Sequence, residues 1–122
     1  MEKEVRKFQR YPFNATAIIK MDGNEHQKRI TTLANNISPI GMGLRTYTSL
    51  EKGLSAPIEV IFSGNQGKRQ KDIIEGTVAW VSKLDTFYFM GIIFREKVNP
   101  SKHPNLYRHL MNIMNSNREI YS

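Results

Sequence analysis

The chain contains no cysteine. That excludes a disulfide framework, a cysteine-based zinc site and a thiol nucleophile, and it fits a reducing compartment. Acidic residues are also scarce. Eleven Asp and Glu stand against 18 Lys and Arg, a formal charge of +7. Such a surface attracts polyanions: nucleotides, nucleic acid or anionic lipid. The plain alternative is a basic surface that serves solubility alone. No apolar run approaches membrane-spanning length. The opening residues MEKEVRKF are charged and lack the apolar stretch of a signal peptide, so a cytoplasmic protein without membrane insertion is expected. Catalytic signatures are missing as well. His26, His103 and His109 have no metal-ligand spacing and are expected at the surface. Asp72 and Glu75 lie three apart on a predicted strand, so they face opposite sides and make a poor acid/base pair. Neither a GxGxxG nor a GxxxxGK[ST] loop occurs. An enzyme is the least expected class, and neither a metal nor a cofactor is expected.

What is present reads as one domain of 122 residues, 39% hydrophobic and 24% charged. Residues 1–11 are basic and weakly patterned, and read as a flexible arm. Residues 12–98 are rich in β-branched and aromatic residues. Strands are expected over residues 12–20, 27–33, 44–47, 57–63, 72–82 and 87–95. An Asp22-Gly23 hairpin signal separates the first two. Residues 34–43, with their Asn, Ser, Pro and Gly, are expected to form a loop. Gly91, inside the last strand, suggests a bulge or a close backbone approach. Regularly spaced short strands suggest a closed or nearly closed antiparallel barrel. Residues 99–122 supply a helix and tail. Leu106, Leu110, Ile113 and Met114 share one helical face, and Pro104 suits a first turn. The fold class is thus all-β with a C-terminal helix. The six methionines read as core filler, although Met111 and Met114 could add to a partner surface.

Two motifs carry chemistry. Arg6 and Arg10 are four residues apart in the basic arm. Two guanidinium forks can grip phosphate oxygens or the O6/N7 edge of guanine, and they stack on purine faces. Alone, such a pair reads equally as a solvated tail. The second motif is Asn36-Ile37-Ser38-Pro39-Ile40-Gly41. Asn36 can read a base edge, and Ser38 favours local turn bonds. Pro39 stiffens the loop, and Gly41 permits positive φ or a close approach. Alone, this too reads as an ordinary turn.

Together and in this order, RxxxR followed by [D/N]xSxxG on a small β-rich domain resembles the PilZ domain family. NISPIGMGL over residues 36–44, TVAWV over 77–81 and GIIF over 91–94 look like further parts of that pattern. The resemblance implies a six-stranded antiparallel β-barrel that binds cyclic di-GMP on its outer face. Arg6 and Arg10 would take the phosphates and a guanine edge. Asn36 and Ser38 would read base or phosphate groups, and Gly41 would permit the approach. Trp80 would wall the pocket, or else belong to the core. Binding would fold the arm across the barrel and signal to a protein partner. Two departures matter. Val5 stands where many members have another arginine, which favours one ligand molecule per domain, and position 36 is Asn where Asp is commoner. Two rivals remain: a protein-only adaptor, and a barrel that binds single-stranded nucleic acid. Against the second, Phe87, Tyr88 and Phe89 are consecutive and alternate faces, leaving no clear stacking platform.

Overall fold

Strand β1 (Tyr11–Asp22) alternates as a half-buried strand does: Ala17 and Ile19 point inward, while Thr16, Ile18 and Lys20 face out. The same period runs through β2 (Gln27–Ser38), β3 (Gly41–Thr46), β4 (Ser55–Ser63), β5 (Arg69–Leu84) and β6 (Phe87–Phe94). This computed structural model describes residues 9–22 and 27–121. Its strands close into an antiparallel barrel in the order β1-β2-β3-β6-β5-β4, with β4 returning to pair with β1. Closure leaves no edge strand exposed. The inward side chains form one core, in which Ile19, Ile37, Met42, Leu44, Ile58, Ile74, Met90 and Ile92 are all but sealed from solvent.

Helix α1 (Pro104–Tyr121) runs past the expected end near residue 115. Its Leu106 and Leu110 are buried, and Ile113 and Met114 pack at the margin, so the expected face is the one that docks. Burying a leucine side chain contributes roughly 1.5–3 kcal/mol. The barrel also caps the helix: the Asp72 carboxylate on β5 accepts a hydrogen bond from the Leu106 N–H at 2.6 Å, satisfying one orphan donor of the first turn.

Two expectations need correcting. Residues 34–43 are not a loop. They are the end of β2 and the start of β3, joined by a turn at Pro39 and Ile40. Small and polar residues there suggested a loop, but the backbone groups are committed elsewhere: Phe94 and Val98 donate to the carbonyls of Ile40 and Pro39, both at 2.9 Å. Nor are the described histidines at the surface. His103 is buried, and its Nδ1 accepts the Asn99 N–H at 3.2 Å. His109 is half-buried, with its ring 5.6 Å from Phe13 and 4.8 Å from Phe62. The His109 imidazole thus sits in the seam between helix and barrel, and that of His103 braces the segment leading into the helix. Met42 and Met90 do fill the core, as expected.

Candidate functional site

Three of the barrel's ladders contain a register shift. Between β2 and β3, Ala34 faces Leu44 and Asn36 faces Gly43, so Asn35 is one residue too many on β2. Strict alternation from the inward Ala34 would send Asn36 into the core. The extra residue turns Asn36 outward and Ile37 inward instead. Between β5 and β6, Val78 faces Ile92 and Trp80 faces Gly91, so Ala79 is the extra residue. Val78 points in, and alternation alone would bury Trp80; the bulge turns it outward, where it is 43% exposed. A third shift lies in β1 between Pro12 and Ala15.

The two re-aimed side chains land on glycines. A Cβ at Gly43 would sit 2.7 Å from Asn36 Nδ2, and a Cβ at Gly91 would collide with the Trp80 indole. Both side chains therefore lie down on backbone that has nothing to hold them off. Gly43 and Gly91 are themselves cross-strand partners. The result is one row across the outer face, from Asn36 over Gly43 to Gly91 under Trp80. Arg10 joins at the Asn36 end: its Nη1 donates to Asn36 Oδ1 at 2.8 Å, across 26 residues of sequence. An aromatic face, an amide and a guanidinium thus share one surface. That set suits a planar, hydrogen-bonding, anionic ligand.

The remaining motif positions serve the frame. Ser38 is buried, and its Oγ accepts the Ile40 N–H at 3.2 Å, closing the turn. Gly41 does not adopt positive φ; a side chain there would meet the Ile92 carbonyl oxygen, so β3 needs glycine to approach β6. Arg6 lies outside the described residues. Trp80 is not a core residue. Residue patterns had pointed to Gly91 as a close approach but gave no reason to single out Gly43. Its signal is the second glycine of GMG, two residues after the motif glycine, so that both face the same way.

On the barrel wall away from this row, one carboxylate gathers three cations. Glu59, nearly buried on β4, takes Lys71 at 3.1 Å, Lys20 at 3.5 Å and Arg29 at 3.6 Å. The hydrogen bond from Lys71 holds its carboxyl below the usual range, against the opposing effect of burial and with help from the Lys20 charge. Among the described residues no cluster of His, Cys, Asp and Glu could hold a metal ion, and no helix is long and apolar enough to cross a membrane.

A scan against protein families matches the PilZ domain over residues 4–111. Among solved structures, the PilZ domain of Escherichia coli YcgR with cyclic di-GMP is similar at 18% identity and a TM-score of 0.67, covering 95% of this chain and 96% of that one. The Bacillus subtilis inhibitor of motility MotI is similar at 18% identity and 0.65, over 90% of this chain and 52% of that one. YcgR of E. coli in complex with cyclic di-GMP gives 19% and 0.66, over 95% of this chain and 49% of that one. The chain thus spans about half the length of the last two. A search of the curated proteins gives no match.

Proposed function

From the premise that this chain belongs to the PilZ domain family, we propose that it is a cytoplasmic, non-enzymatic receptor for cyclic di-GMP. The observation that carries the proposal is the Arg10–Asn36 hydrogen bond at one end of a row that ends in the half-exposed Trp80 indole seated on Gly91. One guanine stacks on the exposed face of the Trp80 indole, which Gly91 lets lie flat on the sheet. Asn36 reads its edge. Arg10, with Arg6 from the N-terminal arm, takes the phosphates and a Hoogsteen edge. Ser38 and Gly41 belong to the site through the turn and the β3–β6 seam that hold Asn36 in place. One ligand molecule binds per domain. Tyr11 already pairs with Ile37 in β1 and Arg10 already bonds Asn36, so binding folds only the remainder of the arm over the row, the barrel acts as the platform with the C-terminal helix docked on it, and a protein partner reads the new surface. Two of the similar structures contain cyclic di-GMP, which supports the ligand.

The test is thermal unfolding with cyclic di-GMP, with GTP and single-stranded DNA as controls. At about 100 times Kd the ligand adds roughly 2.7 kcal/mol, a melting shift of roughly 10 °C for a domain of this size. Arg10→Ala should weaken binding by roughly 1.5–3 kcal/mol. No shift at any concentration would move the function to the protein-only adaptor, and a response to DNA alone would move it to nucleic acid.

A further inference from the structure

Beyond Trp80 the wall made by β3, β6 and β5 runs on toward the end of the barrel where β5 turns into β6. Met90 and Ile92 point inward, so Phe87 and Phe89 face out. Arg45 of β3 pairs with Phe89, and Leu84 of β5 pairs with Phe87. Tyr47, the residue after β3, reaches the same place: its ring lies 6.3 Å from Phe87, which lies 5.4 Å from Phe89. Tyr47 is 80% exposed and Leu84 52%. From Trp80 to Leu84 the wall is roughly 13 Å long, and its three strands make it roughly 10 Å wide. Helix α1 docks elsewhere, where Asp72 and the Lys71 carbonyl accept hydrogen bonds from its first turn. A soluble monomer rarely leaves so continuous an apolar face bare.

Charge and ring geometry narrow what covers it. Arg45 is the charge within the cluster, its guanidinium 5.5 Å from the Phe87 ring centroid. Among the described residues it has no carboxylate within ion-pair distance, whereas Arg29 and Arg95 both do. The outward positions of β5 from Trp80 on are Trp80, Ser82 and Leu84, so the wall itself offers Arg45 no acid. A second copy of this chain would set two cationic patches face to face, each on a molecule of charge +7. Nucleobases fit no better. The rings meet edge to face, at 80° and 82°, and the guanidinium takes one face of Phe87, so there is no row of parallel faces on which bases could stack. Apolar side chains of a protein fill such angled rings, and a carboxylate among them would supply the partner that Arg45 lacks. Trp, Tyr and Arg are also the side chains that dominate binding energy at protein interfaces.

We propose that this aromatic wall is the docking surface for a protein partner, which lays an apolar segment carrying Asp or Glu across Tyr47, Phe87 and Leu84 with its carboxylate on Arg45. The surface rests on the receptor reading for the partner it serves, and it adjoins the ligand row at Trp80. Peptide affinity is measured without cyclic di-GMP, so either can fail alone.

A phage-displayed library of random peptides, selected on the full chain, tests it. Enriched peptides should combine aromatic or aliphatic residues with Asp or Glu. Their affinity as labelled synthetic peptides, read by fluorescence anisotropy, should fall about tenfold with Tyr47→Ser and with Arg45→Glu. Both positions are exposed, so the melts of these variants should scarcely change. Selection repeated on Arg45→Glu should enrich Lys or Arg in place of the acids. Tyr47→Ser should leave cyclic di-GMP affinity unchanged. Three results would overturn the proposal. One is that no enriched peptide loses affinity with either substitution, which places its binding elsewhere. Another is a dimer in sedimentation that Tyr47→Ser dissolves, since a second copy would then cover the wall. The third is single-stranded DNA binding that the same substitution weakens, which would make the wall a nucleic-acid surface.

Discussion

The β4–β5 wall and the β5–β6 wall share a strand but follow different rules. From Ser55–Thr77 to Ser63–Arg69 the first ladder runs nine pairs without a shift. Its outward positions are mostly charged or polar, and its one buried carboxylate is matched by three cations. The second ladder slips by one residue at Ala79, and beside the slip stands Trp80 on its seat at Gly91. The regular wall is what strand physics alone produces. The irregular one carries a tryptophan that is 43% exposed, which costs stability unless something covers it.

Single-residue deletions should separate the two walls most sharply. Removing Ile73 from the regular stretch of β5 shifts every later residue to the opposite face and drives Ile74 out of the core. That variant should fail to fold, which circular dichroism and the loss of a cooperative melt would report. Removing Ala79 instead leaves Val78 on Ile92, Trp80 on Gly91 and Val81 on Met90, a ladder with no slip. It should fold, at a cost of about 1 kcal/mol from the altered twist. Equal damage from both deletions would mean that the bulge at Ala79 is not a spare residue.

A smaller effect is expected at the Gly91 seat. Gly91→Ala puts a methyl group into the indole, which must lift off the sheet. The overpacking should cost about 1–3 kcal/mol of stability. Trp80 is the only tryptophan in the chain, so its emission reports the displacement directly. Cyclic di-GMP should quench that emission in the parent and much less in Gly91→Ala. Unchanged quenching would show that the indole does not need its glycine seat.

This contrast also explains what could be read from residues alone. The strands and the buried face of α1 follow from period-two and period-3.6 patterns. Arg10 and Asn36 were visible as motif residues because fork and amide chemistry are written in the residue types. Trp80 could not be placed, because its facing depends on a slip at Ala79 that no periodicity announces. Gly43 was missed for the same reason, since its partner Asn36 is outward only through the extra residue at Asn35. His109 was misplaced because its burial comes from the docking of α1, a tertiary contact between Phe13, Phe62 and His109, while His26 lies outside the described residues.

That docking gives the last and smallest effect, a pH dependence whose two parts belong to two regions. Burial lowers the affinity of His103 for a proton, although Asp72 and Glu96 oppose it, and burial does the same to His109. The unfolded chain therefore takes up these protons first. Stability is whole above about pH 6.5 and declines as the pH falls through that value toward the lower folded values. Protonated His103 would also turn a donor toward the Asn99 N–H it now accepts. Glu59 acts in a lower window. Its folded value is depressed, so its contribution is present above about pH 4.3 and is lost as the pH falls through the folded value. Urea unfolding at about pH 7.5, 5.5 and 3.5 separates the two. His109→Phe, which keeps a ring against Phe13 and Phe62, should reduce the change between the first two conditions to the part that His103 supplies and leave the third drop intact. Glu59→Gln should do the reverse. If His109→Phe leaves the mild-acid loss at full size, His109 is not its source and His103 carries that part alone.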